Sequence, residues 1–390
     1  VLTSVALITI NFRMSRKAAR RPGAGAAVVG RRRRRRLRDG CRCDNRTHRG
    51  RDRPVTNIAL GAVRALEYVS IALVVGAVAF LTWVAPESLL GGEFERRVWR
   101  LLIAGLTLGV AVGVLGILLQ AAHLSGVALW SLRWSAVSSV LGSRFGLVWG
   151  VRAALLAASV AALAFRRRRA FRLWLFALCA FLVLTPALSG HAAVQSPVWA
   201  FFPSDVLHVL AVSVWVGGVA CLLYALPPAL RAATPAGRTT VLLDVLGRFS
   251  PLALTAVAVI ALTGVIQAYI EVRTLNALTH STFGELVLLK IGLLGLLIGL
   301  GAINRERLIP TLRRLAAAAS QPGEIGVQLR RTTIGELAAM ACVFAVTAAL
   351  LAYTPPIAAT GSSPKPSASA RAVMSRSAAA TVARPRHDRM

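Results

Sequence analysis

The 390-residue chain is 56% hydrophobic and only 16% charged, yet it carries a formal net charge of +31. Such an apolar composition excludes an ordinary soluble domain and points to membrane-spanning segments. The charge invites a nucleic-acid reading, but no aromatic platform or recognisable nucleic-acid fold surrounds the basic runs, so no nucleic-acid partner is expected.

Residues 1–56 hold 17 Lys and Arg against three Asp, including the run Arg31 to Arg36. This Arg/Gly/Ala-rich, aperiodic stretch reads as a disordered leader or an upstream reading frame, with the natural chain expected to start near Val55. Its Cys41-x-Cys43 has no partner at zinc-site spacing. The chain closes on a Ser/Ala/Pro/Arg-rich tail, 355–390, also expected to be disordered.

Between them lie eight apolar stretches, roughly 58–84, 98–122, 145–165, 171–189, 203–226, 249–271, 284–303 and 333–353. Each is about long enough to cross ~30 Å of hydrocarbon as a helix. None alternates in polarity as a barrel strand would, and a helix satisfies its backbone within a single span. The expected fold class is all-α: a polytopic membrane helix bundle of about eight transmembrane helices in a lipid bilayer.

The eight stretches divide into two four-helix parallel repeats, 57–189 and 203–353. Leu66-Glu67 with Gly76 and Pro86 recurs 141 positions later as Leu207-His208 with Gly217 and Pro227. Leu119-Gln120-Ala121 recurs 147 positions later as Ile266-Gln267-Ala268. Ser143-x-Phe145-Gly146 with Arg152 recurs 138 positions later as Ser281-x-Phe283-Gly284 with Lys290. Repeats that keep ionisable groups at matched depths predict a polar site between the halves.

Arginine placement sets the orientation. If the first helix enters from outside, the cytoplasmic connections 86–97, 166–170, 227–248 and 304–332 carry most of the basic residues, among them Arg166 to Arg169, Arg305, Arg307, Arg330 and Arg331. The outer connections carry only Arg133, Arg144 and Arg273. The positive-inside rule therefore places both termini outside the cytoplasmic membrane.

On that orientation His123, His191, His208 and His280 all lie at or near the outer face. Asp205 and His208 are three apart and share a helical face. Glu67 occupies the position equivalent to His208, while Gln120, Gln267 and Glu271 lie on the same side. The candidate ligands are therefore His191, Asp205, His208, Glu67, His123 and His280. Arg152 and Lys290 either balance the carboxylates or snorkel outward. Trp83, Trp130, Trp149 and Trp199 read as interfacial anchors, and Gly217-Gly218 as a close helix contact. Cys179, Cys221 and Cys342, in separate helices, read as packing residues.

Imidazole with carboxylate suits a borderline divalent metal such as copper(II) or zinc. Paired histidines would equally hold a haem b. The helices contain no triad, hydrolytic carboxylate pair or redox Cys pair, so no enzyme activity is expected.

Several segments resemble the CopD copper-resistance family. They are Ser189-Gly190-His191-Ala192, Asp205-x-x-His208 leading to Trp215-x-Gly217-Gly218, and Ser143-x-Phe145-Gly146-x-x-Trp149-x-x-Arg152. Leu262-Thr263-Gly264-x-x-Gln267-Ala268, Thr282-Phe283-Gly284 with Lys290, and Asn304-Arg305 with Pro310 complete the set. The resemblance spans about residues 57–356. It implies a multi-pass protein of the bacterial inner membrane that moves copper between the extracytoplasmic space and the cytoplasm, usually described as uptake. Of the candidates, it carries over His191, Asp205 and His208. Some relatives carry a fused periplasmic copper-binding β-domain or an oxidase-assembly domain. Neither occurs in this sequence, so a separate extracytoplasmic copper chaperone is the expected donor. The competing expectations are a haem-binding electron-transfer protein and a copper-delivery factor for respiratory oxidase assembly.

Overall fold

The computed structural model describes residues 46–165, 169–189, 197–272, 274–318, 320 and 322–350. Among them every regular element is helical, and eight segments are long and apolar enough to cross a membrane. His191, Cys41-x-Cys43, the leader before residue 46 and the tail lie outside the described residues.

The first repeat opens with α1 (Arg46–Ala79), which continues through a π-helical turn, Phe80–Val84. It proceeds through α2 (Glu93–Ser125), the short α3 (Trp134–Leu141) and α4 (Arg144–Ala162). The fourth span is discontinuous: α5 (Arg169–Phe181) and α6 (Leu184–Ser189) are separated by a turn at Leu182 and Val183. The second repeat contains α7 (Val198–Ala232), α8 (Pro235–Val272), the short α9 (Leu275–His280) and α10 (Thr282–Ile303). A π-helical turn, Asn304–Leu308, then leads into α11 (Ile309–Ala317), and α12 (Gly323–Leu350) closes the described chain.

Several helices outrun the apolar stretches that announce them. The sixth span runs Pro235–Val272 and the seventh Thr282–Ala317. Their extensions carry Arg238, Arg248, Arg305, Arg307, Arg313 and Arg314. Hydropathy registers only the part that needs hydrocarbon; the backbone hydrogen-bond ladder continues until a cap or a turn stops it.

The recurring Ser-x-Phe-Gly motif starts the third helix of each repeat. Ser143 Oγ accepts from the Gly146 amide at the N-terminus of α4, and Ser281 Oγ accepts from Gly284 at that of α10. Each serine satisfies an amide that the first helical turn leaves without a partner. A Cβ on Gly146 would overlap the Leu141 carbonyl that ends α3, and one on Gly284 would overlap the carbonyls of Ala277 and Leu278 in α9. Glycine is therefore required where the short helix abuts the long one.

The repeats meet where α1 crosses α7. A Cβ on Gly76 would overlap Gly217 and the Ser213 carbonyl; one on Gly217 would overlap Gly76 and the Ala72 carbonyl. Ala72 and Ser213 are themselves equivalent in the 141-residue repeat, so the contact is self-complementary. Three spans lie between the first and the fifth, so α1 and α7 cross the membrane in the same direction, as four-helix repeats related about an axis along the membrane normal require. Small residues permit this approach because lipid supplies little hydrophobic drive, leaving close van der Waals contact to hold the helices.

The first repeat packs α2 in the same way. Gly105, Gly109 and Gly113 lie at four-residue intervals on α2, facing Val74, Ser70 and Leu156, and Trp149 in turn. The Ser70 hydroxyl donates to the Gly105 carbonyl at 2.8 Å. The main core fills the space between the repeats around Phe80, Phe94, Leu102, Trp215, Val219 and Phe249.

Candidate functional site

Equivalent positions of the two repeats build two different cavities. The first is lined by Arg64, Glu67, Gln120, Trp149 and Arg152, and encloses only about 30 Å³, little more than one water molecule occupies. The second encloses about 730 Å³ and is lined by Asp205, His208, Gln267, Glu271 and Lys290 at its polar end. Arg64 of α1, the repeat counterpart of Asp205, lines both, and Tyr68 joins it in the wall of the second. The polar residues are thus divided between cavities instead of sharing one central site.

The first cavity is locked. Glu67 forms an ion pair with Arg152, whose side chain is 10% exposed. The Arg152 Nε donates to Thr185 Oγ1 at 2.8 Å, and the Thr185 hydroxyl donates to the Leu182 carbonyl at 2.7 Å. One guanidinium therefore ties α1 and α4 to the broken fourth span. Trp149, expected as an interfacial anchor, instead lines this cleft against Gly113. Trp130 and Trp199 are strongly exposed and Trp83 is partly so, as an interfacial belt requires.

At the opposite end of the first repeat, Glu95 is held in the same manner. Arg172 Nη2 donates to its Oε1 at 3.1 Å, as does Trp99 Nε1, and the Gly91 amide donates to Oε2 at 2.6 Å. Glu67 and Glu95, whose side chains are the more deeply placed carboxylates of this repeat among the described residues, each face a buried arginine.

The second cavity differs in this respect. Among the described residues neither Asp205 nor Glu271 forms an ion pair. Lys290 is within electrostatic reach of both. His208, nearly three turns into α7, places Nδ1 2.9 Å from Thr263 Oγ1 on α8. The Thr263 hydroxyl donates to the Val259 carbonyl at 2.6 Å. A carbonyl can only accept, so the hydroxyl proton is committed there and Thr263 accepts from Nδ1–H. That bond network assigns the proton to Nδ1 and leaves the Nε2 lone pair available to a ligand. Thr263 itself is held by Ser204, whose hydroxyl donates to the Thr263 carbonyl at 3.1 Å. The Leu262-Thr263-Gly264 segment therefore orients the imidazole, with Gly264 leaving room beside the ring.

The remaining candidates fall elsewhere. Glu67 lines the first cavity and not the second. His123 and His280 are exposed and line neither; His280 Nδ1 sits 2.7 Å from Thr279 Oγ1. Among the described residues no group of three or more His, Cys, Asp or Glu is gathered for a metal ion. Among the described residues His208 is the single imidazole lining the second cavity, with no second histidine beside it to pair on a haem. Cys179 and Cys221 are buried and Cys342 is exposed; none lines either cavity.

Sequence reasoning overlooked Tyr68 and Arg64 in the cavity wall. The 141-residue repeat held the signal for Arg64, because it aligns with Asp205. Tyr68 lies one position past Glu67 and carried no such mark.

Comparison with known proteins gives a consistent result over both repeats. The family model described as copper resistance protein D matches residues 243–350. That described as copper resistance protein D-like, N-terminal domain, matches residues 55–201. The copper transport protein CutJ of Bacillus subtilis (strain 168) is 32% identical over 259 residues, which cover 64% of this chain and 46% of that protein. The copper resistance protein D of Pseudomonas syringae pv. tomato is 30% identical over 220 residues, covering 55% of this chain and 70% of that protein. The chain thus spans less than half the length of the first relative. No solved structure matches it.

Proposed function

We propose that this chain, which belongs to the copper resistance protein D family, carries copper ions across the bacterial cytoplasmic membrane through the cavity of its second repeat. Asp205 and His208 supply the first protein ligands. The direction is inward, from the extracytoplasmic side where His208 lies to the arginine-rich cytoplasmic side.

The observation that supports this reading is the contrast between matched positions. Where the first repeat has Glu67 neutralised by Arg152, the second places His208, its Nε2 available, in one cavity with two carboxylates that form no ion pair among the described residues. Ionisable groups are costly inside a membrane and are kept where they serve an ion or substrate path. Imidazole nitrogen with carboxylate oxygen is a donor set that suits copper(II).

The sparse ligation also fits carriage better than storage. An ion that must leave needs binding strong enough to draw it in and weak enough to release it. Two or three donors completed by water meet that need, whereas a closed cage of protein ligands would trap the ion.

His191 is a further proposed ligand at the outer face. The exposed His123 and His280 suit capture of copper from an extracytoplasmic chaperone. Glu67 serves the scaffold through Arg152. Copper accumulation by cells expressing His208→Ala or Asp205→Ala tests the reading. Uptake should fall by about tenfold or more in each, with protein levels in the membrane unchanged. Wild-type uptake in both variants removes the second cavity from the path.

A further inference from the structure

Beyond the apolar floor of the second cavity lies another polar cluster, at the arginine-rich end of the bundle. Lys290, Leu294 and Leu297 of α10 line the cavity. Gly301 and Asn304 continue the same helical face at the following turns. On α12, Thr347, Val343 and Met340 line the cavity, and Glu336 follows Met340 by one turn. Two facing helix stripes therefore lead from the histidine end, past the buried Met340 thioether, to Asn304 and Glu336.

Glu336 is 6% exposed. Its Oε1 accepts from Asn304 Nδ2 at 2.7 Å, and Asn304 Oδ1 accepts from the Thr332 hydroxyl at 2.5 Å. The second carboxylate oxygen accepts no hydrogen bond among the described residues and is not fully buried, so it remains open to a ligand. No lysine or arginine forms an ion pair with Glu336 among them either. The neighbouring Arg305 donates instead to Ser250 Oγ at 3.1 Å. Asn304 opens the π-helical turn Asn304–Leu308, a local departure from α-helical bonding of the kind that recurs at functional positions.

A tie between two helices needs only a neutral acceptor, and glutamine would supply it. A carboxylate on a residue only 6% exposed, with no cation paired to it among the described residues, is a costly substitute. We propose that Glu336, with Asn304 and Thr332 orienting it, is the inner station of the ion path. Met340 is the stepping point between it and the outer ligands. The cluster receives the same copper ion after it leaves Asp205 and His208, and releases it to the cytoplasmic side. This inference rests on the transport reading above.

The test uses the full chain in cells and in purified form. Glu336→Gln keeps an oxygen that accepts from Asn304, while it removes the charge and replaces the second oxygen with an amide nitrogen. It should lower copper accumulation by about tenfold, leave thermal stability and membrane abundance unchanged, and still bind copper stoichiometrically at the outer ligands. Glu336→Asp should restore part of the uptake. Wild-type uptake by Glu336→Gln, in a strain set where His208→Ala has lost uptake, overturns the inner station and leaves the transport reading standing. If His208→Ala also retains wild-type uptake, the transport reading itself has failed. A fall in uptake matched by loss of folded Glu336→Gln protein assigns Glu336 to the scaffold and overturns the proposal.

Discussion

The two repeats place different chemistry on the same scaffold. Arg64, Glu67, Gln120 and Arg152 of the first correspond to Asp205, His208, Gln267 and Lys290 of the second. In the first set the acid is consumed by an arginine, and the enclosed space is about 30 Å³. In the second the acids form no ion pair among the described residues, and the space is about 730 Å³. Duplication lets one copy bear the structural cost of buried charge while the other keeps its charge available. The parallel crossing at Gly76 and Gly217 holds them side by side, so Arg64 of the locked copy reaches into the wall of the open one.

The sharpest way to break this comparison is to remove one member of the locked pair. Glu67→Gln leaves Arg152 buried without its counter-charge and should destabilise the protein by about 3–5 kcal/mol. Combining it with Arg152→Gln should recover most of that loss, and with it copper uptake. Thermal unfolding in detergent, read beside uptake, checks both. If the double variant folds but carries no copper, the first cavity belongs to the ion path and the division of labour is wrong.

A smaller effect is expected at the residue that orients the histidine. Thr263→Val keeps shape but removes the oxygen that accepts from His208 Nδ1–H. Copper affinity, measured by competition with a chelator, should fall about tenfold. Unchanged affinity would mean that this bond does not select the tautomer.

Much of the scaffold was legible in the sequence. Eight apolar runs without alternation gave eight spans, because a backbone in hydrocarbon has few other ways to satisfy itself. The Gly217-Gly218 pair was read as a close helix contact, and Gly217 makes one with Gly76. The short helices α3 and α9 were not read, since six to eight residues lying beside a span leave no hydropathy signature. The break at Leu182 and Val183 was equally silent: apolar residues continue straight through it. The Ser-x-Phe-Gly repeat was visible as a pattern, but its role as a helix cap needs the geometry of the preceding turn.

Of the candidate ligands among the described residues, Asp205 and His208 line the second cavity and Glu67, His123 and His280 do not. Asp205 and His208 share a helix, so three-residue spacing was enough to pair them. Whether Glu67 joins them depends on the angular position of α1 relative to α7, which no one-dimensional pattern contains. The structure turns Glu67 toward Arg152 and turns Arg64 and Tyr68 toward the second cavity. Repeat equivalence suggested a common cavity where there are two.

X-ray absorption on the purified, copper-loaded protein tests the division between the halves most directly. The account predicts an imidazole contribution to the copper shell that disappears in His208→Ala and persists in the Glu67→Gln/Arg152→Gln double variant. An unchanged spectrum in His208→Ala, or one altered by the double variant alone, would contradict it.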